Sequence, residues 1–411
     1  MQNAVTTSIA QLTYRSIHMA VLTWILGANP RAVTIRHHLV AAFVAGLLWF
    51  RGHATCTAIS RGGEASHDAL NRLLTGSALR AFLQILALSL VDRRKGYLVI
   101  DDVVIGKTGR FIDGIKYLFC PSEDRKLLAL NAVVLGWTDG KVFIPLTFRF
   151  WKKPLVDPPK RRRGRKAKRP VEQGPVRAFD DTQFKTKIEL AIDMLHWAHQ
   201  RGFTPQAVLF DCYYLTKRVT TWLKPKKWHW VSRIKAGRKL VRNGKPFSAK
   251  KWVQLAPIKR APKITTSVEA ELPGWGNVRI IRANDVPGAS KRFLVGSNPN
   301  WHRGTIERLY GHRWAIETAF RDGSQLLGLK DCQCRSFQAQ ENHFALVLMA
   351  YAFLQSQKVR RETSGDVIAR FSHVTITHTT SLSQSKVRQI TRERRRRDHD
   401  PHHAPISASA A

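Results

Sequence analysis

The chain has 411 residues, 44% of them hydrophobic, and carries 68 Lys and Arg against 29 Asp and Glu, a formal net charge of +39. That length is enough for a sizeable core in two or three structural units. An excess of positive charge this large opposes compact folding unless the partner is a polyanion, and its spread along the chain favours nucleic acid over an anionic membrane surface.

The five cysteines (Cys56, Cys120, Cys212, Cys332 and Cys334) are odd in number and form no CxxC pair. They exclude a disulfide framework and a structural zinc site and imply a reducing compartment. The opening MQNAVTTSIAQLTYRSIHMAVLTWILG has polar residues throughout and lacks a small-residue cleavage site after a clean apolar stretch. The apolar run LVAAFVAGLLWF, 39–50, is too short to span a bilayer. A cytoplasmic chain is expected.

Residues 1–92 read as a helical, DNA-binding region, with apolar residues at helical spacing in 39–50 and in ALRAFLQILALSLVD, 78–92. Between them TCTAISRGGEASHDALNRLL predicts a helix, a Gly-Gly break and a second helix started by Ser66. With Asn71 and Arg72 on that second helix, the pair is either a DNA-reading helix-turn-helix or two ordinary packed helices.

From Tyr97 the pattern turns to strands: YLVIDDVVI, then LLALNAVVLGW and KVFIPLTFRF joined by TDGK. The GKTG turn after the first strand carries Lys107, a candidate DNA contact. A basic loop over 152–177 interrupts the core and holds Arg161, Arg162, Arg163, Arg165 and Lys166. It reads either as an arm lying in a DNA minor groove or as a general phosphate-neutralising loop. An amphipathic helix follows over 182–202, with Phe184, Ile188, Ile192 and Leu195 on one stripe. QAVLFDCYY and WHWVSRI are further strands, with a short helix, TKRVTTWL, between them. Residues 237–298 form a β-rich insertion, and one helix is expected over 305–327 and another over 341–357. The first and last parts of the core are thus 93–236 and 299–358, followed by a basic, disordered tail over 359–411.

Acids at the ends of apolar strands are costly to bury without partners. Two strands end this way, one in Asp101 and Asp102 and the other in Asp211. The helix YGHRWAIETAFRDGSQLLG, 310–328, adds Glu317 on a face shared with Tyr310, Arg313, Arg321 and Ser324.

The set LVIDD, VLFDCYY and YGHRWAIETAFR resembles the DDE transposases of bacterial insertion sequences. The resemblance is to the group with an RNase H-like core, a β-rich insertion before the Glu helix and a Tyr-x-x-Arg-x-x-x-Glu signature. It covers about Tyr97 to Leu354, and more than a hundred residues separate Asp211 from each of its two distant partners. The resemblance implies an α/β fold with an RNase H-like mixed sheet flanked by helices. It also implies Asp102, Asp211 and Glu317 as catalytic metal ligands, with Asp101 as the register alternative. Two Mg²⁺ or Mn²⁺ ions, roughly 3.5–4 Å apart, would stabilise the attacking and leaving oxygens. Tyr310 and Arg313 would contact transposon-end DNA, and the protein would act in the nucleoid as a homodimer on paired double-stranded ends. Val103 stands where the family often has a hydroxyl residue. Ser324 stands where it commonly has Lys, and Arg321 is expected to take over part of the phosphate binding. The function implied is cleavage and strand transfer at terminal inverted repeats. The alternatives are a catalytically impaired DNA-binding derivative and a nuclease that only hydrolyses.

Overall fold

The region before the first strand is helical, as its apolar spacing predicts. In the computed structural model the described residues are 2–28, 35–50, 54–76, 79–121, 123–152, 184–249, 267–283, 293–359 and 361–378. Helices α1 (Gln2–Ala28), α2 (Ile35–Phe50), α3 (Cys56–Ser60), α4 (His67–Thr75) and α5 (Arg80–Leu90) precede the first strand. The side chains of Thr55 and Ser66 accept the N–H groups of Ala58 and Ala69, capping α3 and α4. Leu70, Leu73 and Leu74 bury one face of α4, while Asn71 and Arg72 on the other are exposed.

The sheet starts with β1 (Tyr97–Gly106), β2 (Lys116–Cys120), β3 (Arg125–Thr138) and β4 (Phe143–Trp151). Helix α6 (Lys187–Gln200) follows, started by a capping box of Thr186 and Glu189, and Phe184 stays exposed outside it. Next come β5 (Ala207–Phe210), α7 (Lys217–Leu223) and β6 (Trp230–Ile234). β3 pairs antiparallel with both β1 and β4, whereas β1–β5 and β5–β6 are parallel. This is the order of an RNase H-like mixed sheet.

The insertion continues that sheet. β7 (Lys239–Arg242), β8 (Lys245–Ser248), β9 (Ser267–Leu272), β10 (Gly276–Arg282) and β11 (Phe293–Gly296) extend it in the order β6-β11-β10-β9-β7-β8. Its attachment is the antiparallel pairing of β11 with β6.

Both faces of the central strands are covered. On one, Leu98, Ile100, Val133 and Phe210 pack with Leu190, Met194 and Val219 of α6 and α7. On the other, Val99, Val134 and Leu209 share a core with the N-terminal helices and the C-terminal ones. Helix α10 (Phe337–Ser356) is buried almost all round, as an apolar helix inside a core must be. Its Asn342 accepts the Leu79 N–H at 2.9 Å and donates to the Leu74 carbonyl at 2.7 Å, tying the N-terminal helices to the core.

Two expectations change. The helix predicted over 305–327 is two, α8 (Arg303–His312) and α9 (Trp314–Leu326). At their junction the Arg313 N–H bonds the Tyr310 carbonyl three residues back, at 3.1 Å, tightening the last turn of α8. The tail expected to be disordered from 359 begins instead with α11 (Ser364–His378). Thr363 and Asp366 cap its start reciprocally, Val367 and Ile368 are buried, and Ser364 donates to Asp322 at 2.7 Å. The remainder, 379–411, and the basic loop with Arg161, Arg162, Arg163, Arg165 and Lys166 lie outside the described residues.

Candidate active site

Side chains alternate across a strand, so adjacent acids on β1 must part. Asp101 lies opposite Val134 and shares the face of Val99, against which the Glu helix packs. Asp102 lies opposite Val133 and shares the face of Ile100, against which α6 packs. The parallel pairing of β1 with β5 ends at Ile100 and Phe210, so Asp101 and Asp211 each come one residue past the last pair. Asp211 Oδ1 accepts the backbone N–H groups of Tyr213 at 2.9 Å and Tyr214 at 3.4 Å, which fixes the carboxylate at the strand end.

Arg313 joins the strand to the helix. Its Nη1 donates to Asp101 Oδ2 at 2.7 Å and its Nη2 donates to Glu317 Oε1. The guanidinium lies over the Tyr310 ring, 5.1 Å from the centroid, and the Tyr310 hydroxyl and Arg313 Nε are buried without hydrogen-bond acceptors among the described residues. Burial pushes the Asp101 carboxyl up to about 7; the charge of Arg313 opposes this, and those of Asp211 and Asp102 add to it. Burial also raises Asp211, against the pull of the Tyr213 and Tyr214 N–H groups. Burial works against the Arg313 charge, but Tyr310, Asp101 and Glu317 more than offset it and hold that group above its ordinary value.

Asp102 is placed differently from the expectation that made it a ligand beside Glu317. Its Oδ2 accepts from Lys187 Nζ at 2.7 Å and Asn131 Nδ2 at 2.8 Å, and its Oδ1 accepts from the Tyr214 hydroxyl at 2.9 Å. Three donors on the α6 side satisfy the carboxylate, and burial together with the Asp102 charge raises the Tyr214 phenol well above its usual value. Sequence reasoning missed Lys187 and Asn131; Tyr214 lay in the DCYY motif, but nothing in that motif pointed to Asp102.

The remaining candidates scatter. Lys107 Nζ donates to the carbonyls of Lys330 at 3.0 Å and Cys332 at 3.2 Å, so its ammonium ties the end of β1 to the loop before α10. Arg321 is exposed beside Asp322, at 3.5 Å, and Ser324 is exposed as well. Among the described residues no three His, Cys, Asp or Glu side chains converge as a ready cation cluster, and a guanidinium bridges two of the acids in question.

This is a set of acids on a rigid strand, a neighbouring strand end and a packed helix, with a cation between two of them. No curated protein matches the chain. Residues 31–271 match the family described as DDE superfamily endonuclease, a stretch that includes Asp101, Asp102 and Asp211 and ends before Glu317. That match covers more than half of the sequence, and the chain belongs to the DDE superfamily endonucleases.

Proposed function

We propose that the chain is a transposase. It binds the terminal inverted repeats of its element as a dimer in the bacterial nucleoid, then cuts the DNA and joins it to a target with Mg²⁺ or Mn²⁺. The ligands in this reading are Asp101, Asp211 and Glu317, with Asp101 in place of Asp102. The observation that carries it is the bridge from Asp101 through Arg313 to Glu317. There the fold already balances two carboxylates with a positive charge, on the sheet face shared with the neighbouring strand-end acid.

The donor set fits the cation. It is all oxygen and held by elements of the core, which suits a hard divalent ion. Two such ions, when bound, stabilise the nucleophile and the leaving oxygen of an in-line displacement. The chain's own part is positional. β1 and β5 fix two carboxylates, α9 brings the third, and Arg313 with Tyr310 offers phosphate-directed donors beside them. Two of those donors, the Tyr310 hydroxyl and Arg313 Nε, have no hydrogen-bond acceptor among the described residues. Arg321, exposed on α9, is left to a more distant DNA phosphate.

The test is a strand-transfer assay with the purified chain, labelled duplex carrying the element's end, a target duplex and Mg²⁺, run beside Glu317→Gln. Joined product from the parent and none from the variant is the expected result. Cleaved ends without joining identify a nuclease that only hydrolyses. Equal joined product from both proteins removes Glu317 from the site.

A further inference from the structure

Behind the Glu helix lies a cavity of about 260 Å³ that the reaction described above does not use. It is smaller than the roughly 300–1,000 Å³ typical of pockets for drug-sized ligands. Its walls come from the β3–β4 turn, the α8–α9 junction and the end of α10. Lys141, His312, Trp314, Gln355 and Lys358 are among them, and no carboxylate is.

Three features mark a built site. Gln355 is 3% exposed; its Oε1 accepts the Phe143 N–H at 3.3 Å, while its Nε2 is buried without a hydrogen-bond partner among the described residues. A buried donor left unpaired is costly and calls for an acceptor. Neither the Lys141 nor the Lys358 ammonium forms a salt bridge within 4.0 Å among the described residues; burial holds Lys358 below its ordinary value, against the charges of Asp322 and Glu362. His312 is stacked on Tyr97, 5.0 Å between centroids, and only a glycine at 140 lets the turn approach it: a Cβ there would lie 2.7 Å from the ring.

A concave surface whose described lining has two ammonium groups, an imidazole and an orphan amide donor, with the acids Asp139, Asp322 and Glu362 set back outside it, selects an anion with several acceptor oxygens. We propose that this cavity is a phosphate site. It takes either a backbone phosphate of the DNA strand that runs past the acids or the phosphate of a free nucleotide. His312 and Trp314 flank Arg313 in sequence, and Tyr97 is four residues from Asp101 along β1. The cavity is therefore roughly 13 Å from the acids along that strand, about four nucleotide rises. The DNA source rests on the transposase reading; phosphate binding itself does not.

The experiment compares the full chain with Lys141→Ala/Lys358→Ala and with the charge-keeping Lys141→Arg/Lys358→Arg, each checked for an unchanged thermal melt. The ³¹P resonances of inorganic phosphate and of deoxyadenosine monophosphate are followed on titration, and duplex affinity is measured against salt. With the parent and the Arg pair, phosphate broadens and saturates; with the Ala pair, binding weakens about tenfold or more. If the source is the DNA backbone, the salt slope of the Ala pair also falls by about 0.9 for the lost contact. If it is a free nucleotide, the monophosphate binds more tightly than phosphate and the slope is unchanged. Absence of saturable phosphate broadening in the parent overturns the site, whatever the slope does. So does equal broadening in the Ala pair. Loss of strand transfer in Glu317→Gln is read separately, so failure of the transposase reading leaves the phosphate result interpretable.

Discussion

Replacing each of the two adjacent aspartates by Asn separates their roles, because the strand turns them to opposite faces. Asp102 accepts three hydrogen bonds, the strongest from Lys187, in a pair whose side chains are 17% and 18% exposed. Breaking a pair this far from water leaves the ammonium without its countercharge, at a cost of about 3 kcal/mol. At roughly 2 °C per kcal/mol for a large chain, Asp102→Asn should lower the melting temperature by roughly 6 °C. Asp101→Asn leaves Arg313 its bond to Glu317 and replaces a carboxyl whose charged form burial disfavours, so it should not lower the melting temperature. Its effect should fall on chemistry instead. Loss of one ligand carboxylate should slow strand cleavage on the order of a thousandfold, equivalent to about 4 kcal/mol of barrier. Thermal melts and single-turnover cleavage at saturating Mg²⁺ measure the two effects. A dead but fully stable Asp102→Asn beside a normally active Asp101→Asn would refute the facing argument.

The raised Asp101 carboxyl also gives a pH signature in the chelator-treated protein. Its proton is held more tightly in the folded state, so its contribution to stability is complete below its ordinary value of 3.8 and is lost as pH rises through about 7. Chemical denaturation across that window should show a decline in the parent that is missing in Asp101→Asn, and superimposable profiles would reject the assignment. Glu189 behaves in the opposite sense. Thr186 and Arg218 hold it down at about 2, so its contribution is present above 4.5 and is lost as pH falls through 2. Glu189→Gln should cost about 1 kcal/mol at neutral pH, read by urea titration, and little once the pH is well below 2. On the exposed face of α4, Arg72→Ala should weaken duplex binding and lower the salt slope by about 0.9 with an unchanged melt. Unaltered binding would leave α3 and α4 as a packed pair.

Much of the architecture was legible because local rules and burial agreed. The apolar strand runs of β1 and β3, the turn at TDGK and the helix start at Ser66 each specify an element without reference to its neighbours. Less was legible where a contact between distant residues decides. The break at Arg313 sits inside a continuous helical pattern. The order beyond 359 depends on Ser364 reaching Asp322 and on Val367 and Ile368 finding a core. No local signal marks Lys107 as a tie between two carbonyls, since a lysine in a glycine turn of a basic chain reads as a DNA contact.

The candidate site divides in the same way. Composition, charge and motif spacing by themselves led to the expectation of a polyanionic partner and singled out the acids at 101, 102, 211 and 317. A central strand covered on both faces has no polar side to betray its register, so the choice between Asp101 and Asp102 was open to the sequence. Tertiary structure decided which acid faces which helix: pairing with β3 sets the facing, Lys187 and Tyr214 surround one carboxylate, and Arg313 reaches the other. Periodicity specifies how side chains alternate, and only packing specifies which layer each side meets.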